Sequence, residues 1–114
     1  MSSSLITSHV LDTALGRPAV GVQVRLELVG DDGTPVQIAT ATTDGDGRVR
    51  AIGPAVLDAA TYRLVFASGG YHASLGSPVF FPEVVITFVV ADGTVHHHVP
   101  LLLSPYAYST YRGS

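Results

Sequence analysis

Val22-Gln23-Val24-Arg25-Leu26-Glu27-Leu28-Val29 alternates between apolar and polar side chains along most of its length. Successive side chains of a β-strand point to opposite faces, so Val22, Val24, Leu26 and Leu28 share one face and Gln23, Arg25 and Glu27 the other. A period of two is a strand with one buried side, not an amphipathic helix. The same period runs through residues 5–13, with Ile6, Ser8 and Val10 on one side and Leu5, Thr7, His9 and Leu11 on the other. Gly16-Arg17-Pro18 ends that run. Asp31-Asp32-Gly33-Thr34-Pro35 separates the quoted stretch from a further strand at residues 36–43.

Further strands are expected at residues 48–52, 61–67, 82–91, 95–103 and 106–112. Thr43-Asp44-Gly45-Asp46-Gly47 supplies a tight turn, and Asp92-Gly93 predicts a hairpin joining the strands on either side of it. Pro100 implies a sheet edge or a bulge. Residues 70–75 leave room for one or two helical turns. With about eight short strands and one small helix, residues 1–114 form a single all-β domain, a two-sheet antiparallel β-sandwich.

Composition narrows the chemistry. Apolar residues make up 46% of the chain and charged residues 13%, which excludes disorder and commits much surface to an assembly. A formal charge of −3 gives no basic footprint for nucleic acid. No apolar run approaches the ~20 residues that cross a bilayer. Met1-Ser2-Ser3-Ser4 shows no secretory leader, so a cytoplasmic location is expected. There is no cysteine, and all six basic residues are arginine. Thiol catalysis, disulfides, thiolate zinc sites and lysine Schiff bases are therefore excluded.

The remaining reactive groups concentrate near the end of the chain. His96-His97-His98 lies within an expected strand, which puts His96 and His98 on one face and His97 on the other. The pair at i, i+2 is a candidate general base or metal ligand, or a half-exposed surface pair. His97 is expected to pack inward or at an interface on a backbone partner. His9 read alone is a structural strand histidine. Arg48 and Arg50 follow a glycine turn, where arginine holds an anion or remains a solvated edge charge. Asp44-Gly45-Asp46-Gly47 lacks the downstream glutamate of a calcium loop and reads as a turn. Glu27 and Glu83 have no evident histidine neighbour, which leaves a Ser-His-Asp triad without its carboxylate. Tyr111-Arg112-Gly113-Ser114 closes the chain with an aromatic, a guanidinium, a glycine and a hydroxyl beside a carboxylate, where chain ends usually fray.

Together these segments resemble the 5-hydroxyisourate hydrolases of the transthyretin-like family. The carriers are His96-x-His98-Val-Pro-Leu-Leu-Leu-Ser-Pro-Tyr106, the terminal Tyr111-Arg112-Gly113-Ser114, the Leu5-Ile6-Thr7-Ser8-His9-Val10-Leu11-Asp12-Thr13 opening and Gly47-Arg48. The resemblance covers essentially the whole chain and departs at His97, where the family often has tyrosine. It implies an eight-stranded sandwich, a homotetramer with active sites at the dimer–dimer interface, and no cofactor or metal. The implied reaction hydrolyses 5-hydroxyisourate to 2-oxo-4-hydroxy-4-carboxy-5-ureidoimidazoline, before a decarboxylation that gives S-allantoin.

Residue by residue, the resemblance assigns catalysis to His9, Arg48, His98 and Ser114, and substrate binding to His9, Arg48, Tyr111 and Arg112. His9 or His98 would activate water, with Arg48 on the developing oxyanion and Tyr111 on the ring. Strand parity places Ala107, Ser109 and Tyr111 on one face, from which Tyr111 is expected to reach the histidine cleft. The alternatives are a non-catalytic small-molecule carrier on the same fold and a metal-binding or adhesion module using His96-His97-His98.

Overall fold

Two sheets face each other across one core in this computed structural model, which describes residues 5–114. Met1-Ser2-Ser3-Ser4, on which the expectation of no secretory leader rests, lies outside the described residues. In chain order the segments are β1 (Ile6–Asp12), β2 (Arg17–Pro18), β3 (Gln23–Val29), β4 (Pro35–Thr42), β5 (Arg48–Val49), β6 (Ala60–Phe66), α1 (Ser68–Ser74), β7 (Val84–Val90), β8 (His97–His98), β9 (Leu101–Ser104) and β10 (Ala107–Thr110). The expected all-β sandwich with one short helix is what forms. Ten segments replace about eight because β2 is a two-residue addition and the strand expected at 95–103 divides at Val99-Pro100 into β8 and β9. Among the described residues no helix is long and apolar enough to cross a membrane.

β3 is central to the smaller sheet, whose order is β4-β3-β6-β7. Val22, Val24 and Leu26 are buried as alternation requires, against Leu64 and Phe66 of β6 and Val84 and Ile86 of β7. On its outer face Glu27 lies between two arginines: Arg25 Nε donates to Oε2 at 2.8 Å and Arg63 Nε to Oε1 at 2.5 Å. Those hydrogen bonds, Arg25's first, hold the Glu27 carboxyl below its ordinary range.

The other sheet is built on β1. Ile6, Ser8, Val10 and Asp12 turn inward, leaving Thr7, His9 and Leu11 on the outer face. The buried polar members are satisfied: Ser8 Oγ donates to Val99 O at 2.7 Å, and Tyr71 Oη of α1 donates to Asp12 Oδ2 at 2.7 Å. The first half of β1 pairs with β5 and β8, and the second half with β2 and β9. Two expectations are corrected here. The pairings with β8 and β9 are parallel, so this sheet is mixed rather than wholly antiparallel. Asp92-Gly93 is also not a hairpin: β7 pairs with β6 in one sheet, while β8 and β9 pair with β1 in the other. The segment after β7 crosses between the layers, held where Leu57 N–H donates to Gly93 O at 3.1 Å.

Candidate active site

The outer face of β1 brings the candidate residues together. His9 lies opposite Arg48 in the antiparallel ladder with β5, and Thr7 lies beside His98 in the parallel ladder with β8. One two-residue step of a single strand therefore sets the spacing between the two pairs.

The turn before β5 delivers Arg48. Asp44 Oδ1 accepts from the N–H groups of Asp46 at 2.9 Å and Arg48 at 3.0 Å, while Gly47 N–H donates to Asp44 O at 2.9 Å. Gly47 has φ +73°, and a Cβ there would lie 2.5 Å from Val10 O, so only glycine lets the turn approach β1 this closely. Arg50, expected on the same face as Arg48, is exposed and tied to Asp44 and Asp46 at 2.9 Å each, making it part of the turn. Arg48 is half-buried and lines the cleft.

That cleft has a volume of ≈ 240 Å³ and is lined by Thr7, Arg48, Arg50, His96, His98 and Ser114, among others. Thr7 Oγ1 lies 2.7 Å from His96 Nε2 and 2.8 Å from His98 Nδ1, with the two imidazoles stacked at 6.1 Å between centroids. Burial holds the His98 imidazole below the ordinary histidine value. His96, Arg48 and His9 push it the same way, and a hydrogen bond with the Thr7 backbone opposes them. His9 stands beside the cleft with Nε2 2.8 Å from Asp46 O. A carbonyl oxygen only accepts, so His9 Nε2 carries a proton. Glu27 and Glu83 both associate with Arg25 instead of with a histidine. Among the described residues no group of three His, Asp or Glu side chains is arranged to hold a metal ion.

The tail behaves differently from its parity reading. β10 ends at Thr110, and the chain then bends so that Gly113 N–H donates to His98 O at 2.8 Å in an isolated bridge. Gly113 and Ser114 thereby reach His98, while Tyr111 and Arg112 do not. Those two line a separate depression of ≈ 230 Å³ with Ile86, Phe88, His97 and Val99. Alternation along 107–111 fails because regular pairing stops one residue before Tyr111. His97 is buried as expected, its Nδ1 donating to Val95 O at 2.7 Å. Sequence reasoning placed Thr7 on the right face without giving it a role. It also missed the contact of Gly113 with His98. Both depend on the register between distant segments.

A sandwich with an outer-face cleft of imidazole, guanidinium and hydroxyl groups defines the chain as a transthyretin-like protein equipped for polar chemistry. The chain belongs to the HIUase/Transthyretin family, whose model matches residues 6–113. It is 48% identical to 5-hydroxyisourate hydrolase 2 of Rhizobium meliloti over 120 residues, covering 98% of each chain. Its structure is similar to that of Klebsiella pneumoniae 5-hydroxyisourate hydrolase, with TM-score 0.84 and 36% identity over 96% of this chain and 98% of that one. Sea bream transthyretin in complex with thyroxine is also similar, at TM-score 0.87 and 31% identity over 95% and 93%.

Proposed function

We propose that this protein hydrolyses 5-hydroxyisourate to 2-oxo-4-hydroxy-4-carboxy-5-ureidoimidazoline and that the cleft between Arg48 and His98 is where it does so. The observation that carries the assignment to this cleft is the convergence of Thr7, Arg48, His98 and Ser114 from three strands and the tail on one outer face. Relatives of nearly equal length carry the name of that hydrolase. A carrier of apolar ligands on the same fold has no use for a half-buried guanidinium facing two imidazoles.

His98, held neutral near pH 7, accepts a proton from water on Nε2 as the water oxygen bonds to the C6 carbonyl carbon. Arg48 stabilises the oxyanion that forms, as preorganised donors do in acyl transfer. The intermediate collapses by breaking N1–C6, and the proton on His98 passes to N1. His9, its Nε2–H held by the Asp46 carbonyl, contributes to the site from beside the cleft, and Ser114 orients the reacting groups beside His98. Tyr111 and Arg112 take part from a neighbouring subunit of a homotetramer whose sites lie where dimers meet.

The test generates 5-hydroxyisourate in situ with urate oxidase and follows its absorbance decay. Micromolar protein accelerates the decay, and His98→Ala and Arg48→Ala each lose about two orders of magnitude or more. Unchanged decay with the wild-type protein would defeat the assignment.

A further inference from the structure

Thr7 has one hydroxyl proton and two histidine nitrogens within hydrogen-bond distance, His96 Nε2 at 2.7 Å and His98 Nδ1 at 2.8 Å. A hydroxyl donates once and accepts through its lone pairs. If it donates to His98 Nδ1, the proton of neutral His98 must sit on Nε2 and no base faces the cleft. If it accepts from His98 Nδ1–H, the Nε2 lone pair stays available and the hydroxyl proton goes to His96 Nε2. Only the second order survives a catalytic cycle. When Nε2 takes a proton from water, Nδ1 keeps its own and still donates to Thr7, so nothing has to rotate. In the first order only Nδ1 could take the proton, which would set an N–H against the Thr7 O–H.

We infer that Thr7 is a positioning residue for the hydrolase, fixing His98 as the Nδ1–H tautomer through an ordered chain from His98 Nδ1–H to Thr7 Oγ1–H to His96 Nε2. The inference rests on the hydrolase reading for its kinetic consequence but not for its structural one. It gives His96 a purpose apart from touching substrate: its bare Nε2 receives the Thr7 proton while its exposed remainder faces water. The parallel register that sets Thr7 beside His98 makes the arrangement possible, and β-branching limits the rotamers by which the hydroxyl could leave it. The tautomer of a functional histidine is generally set by what its other nitrogen binds. Here a threonine takes the place of the usual carboxylate or carbonyl.

The experiment compares wild-type protein with Thr7→Ser, which keeps the hydroxyl, and Thr7→Val, which keeps the shape. Nitrogen-15 shifts of the His98 ring, assigned with His98→Gln, report the tautomer directly. The expected result is protonated Nδ1 and bare Nε2 in the wild type and Thr7→Ser, with a tautomer mixture in Thr7→Val. In the decay assay Thr7→Ser stays within about threefold of wild type. Thr7→Val loses about tenfold or more in kcat at nearly unchanged KM, a share of the ~10²–10⁴ that general-base help supplies. The groups facing His98 are His9, Arg48, His96 and the tail at Ser114, and all remain in Thr7→Val. Loss of the Thr7 acceptor therefore moves the acid limb of kcat/KM to lower pH. A wild-type His98 protonated on Nε2 with bare Nδ1, or a folded Thr7→Val of full activity, overturns the inference. If the wild-type protein does not hydrolyse 5-hydroxyisourate, the functional reading fails and the ring shifts alone decide the role of Thr7. They also decide it if Thr7→Val does not fold.

Discussion

Gly113 shows how much one hydrogen atom can matter at the end of a chain. A Cβ there would lie 2.4 Å from His98 Cδ2 and 3.1 Å from Cγ, so any larger residue must push the imidazole or lift the tail. The ring is thus fixed on one side by Thr7 and on another by bare backbone. Gly113→Ala should lower kcat/KM by about 10–100-fold, the cost of misplacing a catalytic group by roughly 1 Å. Its melting temperature should fall only slightly, because the contact joins the tail to the surface and not to the core. Decay kinetics and thermal unfolding on the same preparation check both halves. The pH dependence of the wild type follows from His98 itself. Its value lies below the ordinary imidazole ~6.5, so the neutral base persists below that pH. The profile of kcat/KM should be flat on the acid side of neutrality and fall only as pH drops through the lowered value. A profile already halved near pH 7 would assign the base elsewhere.

At the scale of elements, the sequence was legible wherever one strand's own pattern decided the outcome. The period-two runs at 5–13 and 22–29 gave the correct buried faces, and with them the outward placement of His9. The Asp44–Gly47 turn was likewise readable from its residues, since its hydrogen bonds are local. Pairing between distant segments was not legible. Asp92-Gly93 has the composition of a hairpin, and Thr94 N–H does donate to Asp92 Oδ1 at 2.9 Å. What prevents a hairpin is tertiary: the Gly93 backbone packs against Leu57, where a Cβ would come within 1.5 Å of the Leu57 carbonyl oxygen. That approach sends the chain over to β1 and brings His98 beside Thr7. Gly93→Ala should therefore destabilise the fold, with Tm lower by about 5–15 °C as overpacking against backbone requires. Folded protein at low temperature should keep most of its activity, since no site residue is touched. A Gly93→Ala variant melting with the wild type would show that the crossover is not held there.

At the scale of the whole molecule, the surface around the tail suits a second copy of the chain. Among the described residues β7 and β10 are paired on one side only, and edges with unpaired backbone groups invite another strand. Around them Val89, Phe80, Tyr106 and Tyr108 are exposed by 67%, 63%, 65% and 42%, an apolar surface that a lone soluble domain rarely shows. Phe80 lies tilted against Tyr106 and Phe81 packs edge-to-face with Tyr108, so this surface is organised before any partner arrives. Tyr111 and Arg112 line the depression beside Val89, apart from the residues that line the cleft of their own chain. A site using both tail halves therefore requires a second copy. The protein should accordingly run at about four times 11.9 kDa in light scattering. Val89→Arg, which places a charge on that surface, should give a smaller species. Its specific activity should fall along with its mass and rise again at concentrations that restore the assembly. A Val89→Arg protomer that stays monomeric and keeps wild-type turnover would place every catalytic group within one chain. Tyr111 and Arg112 would then have no part in the reaction.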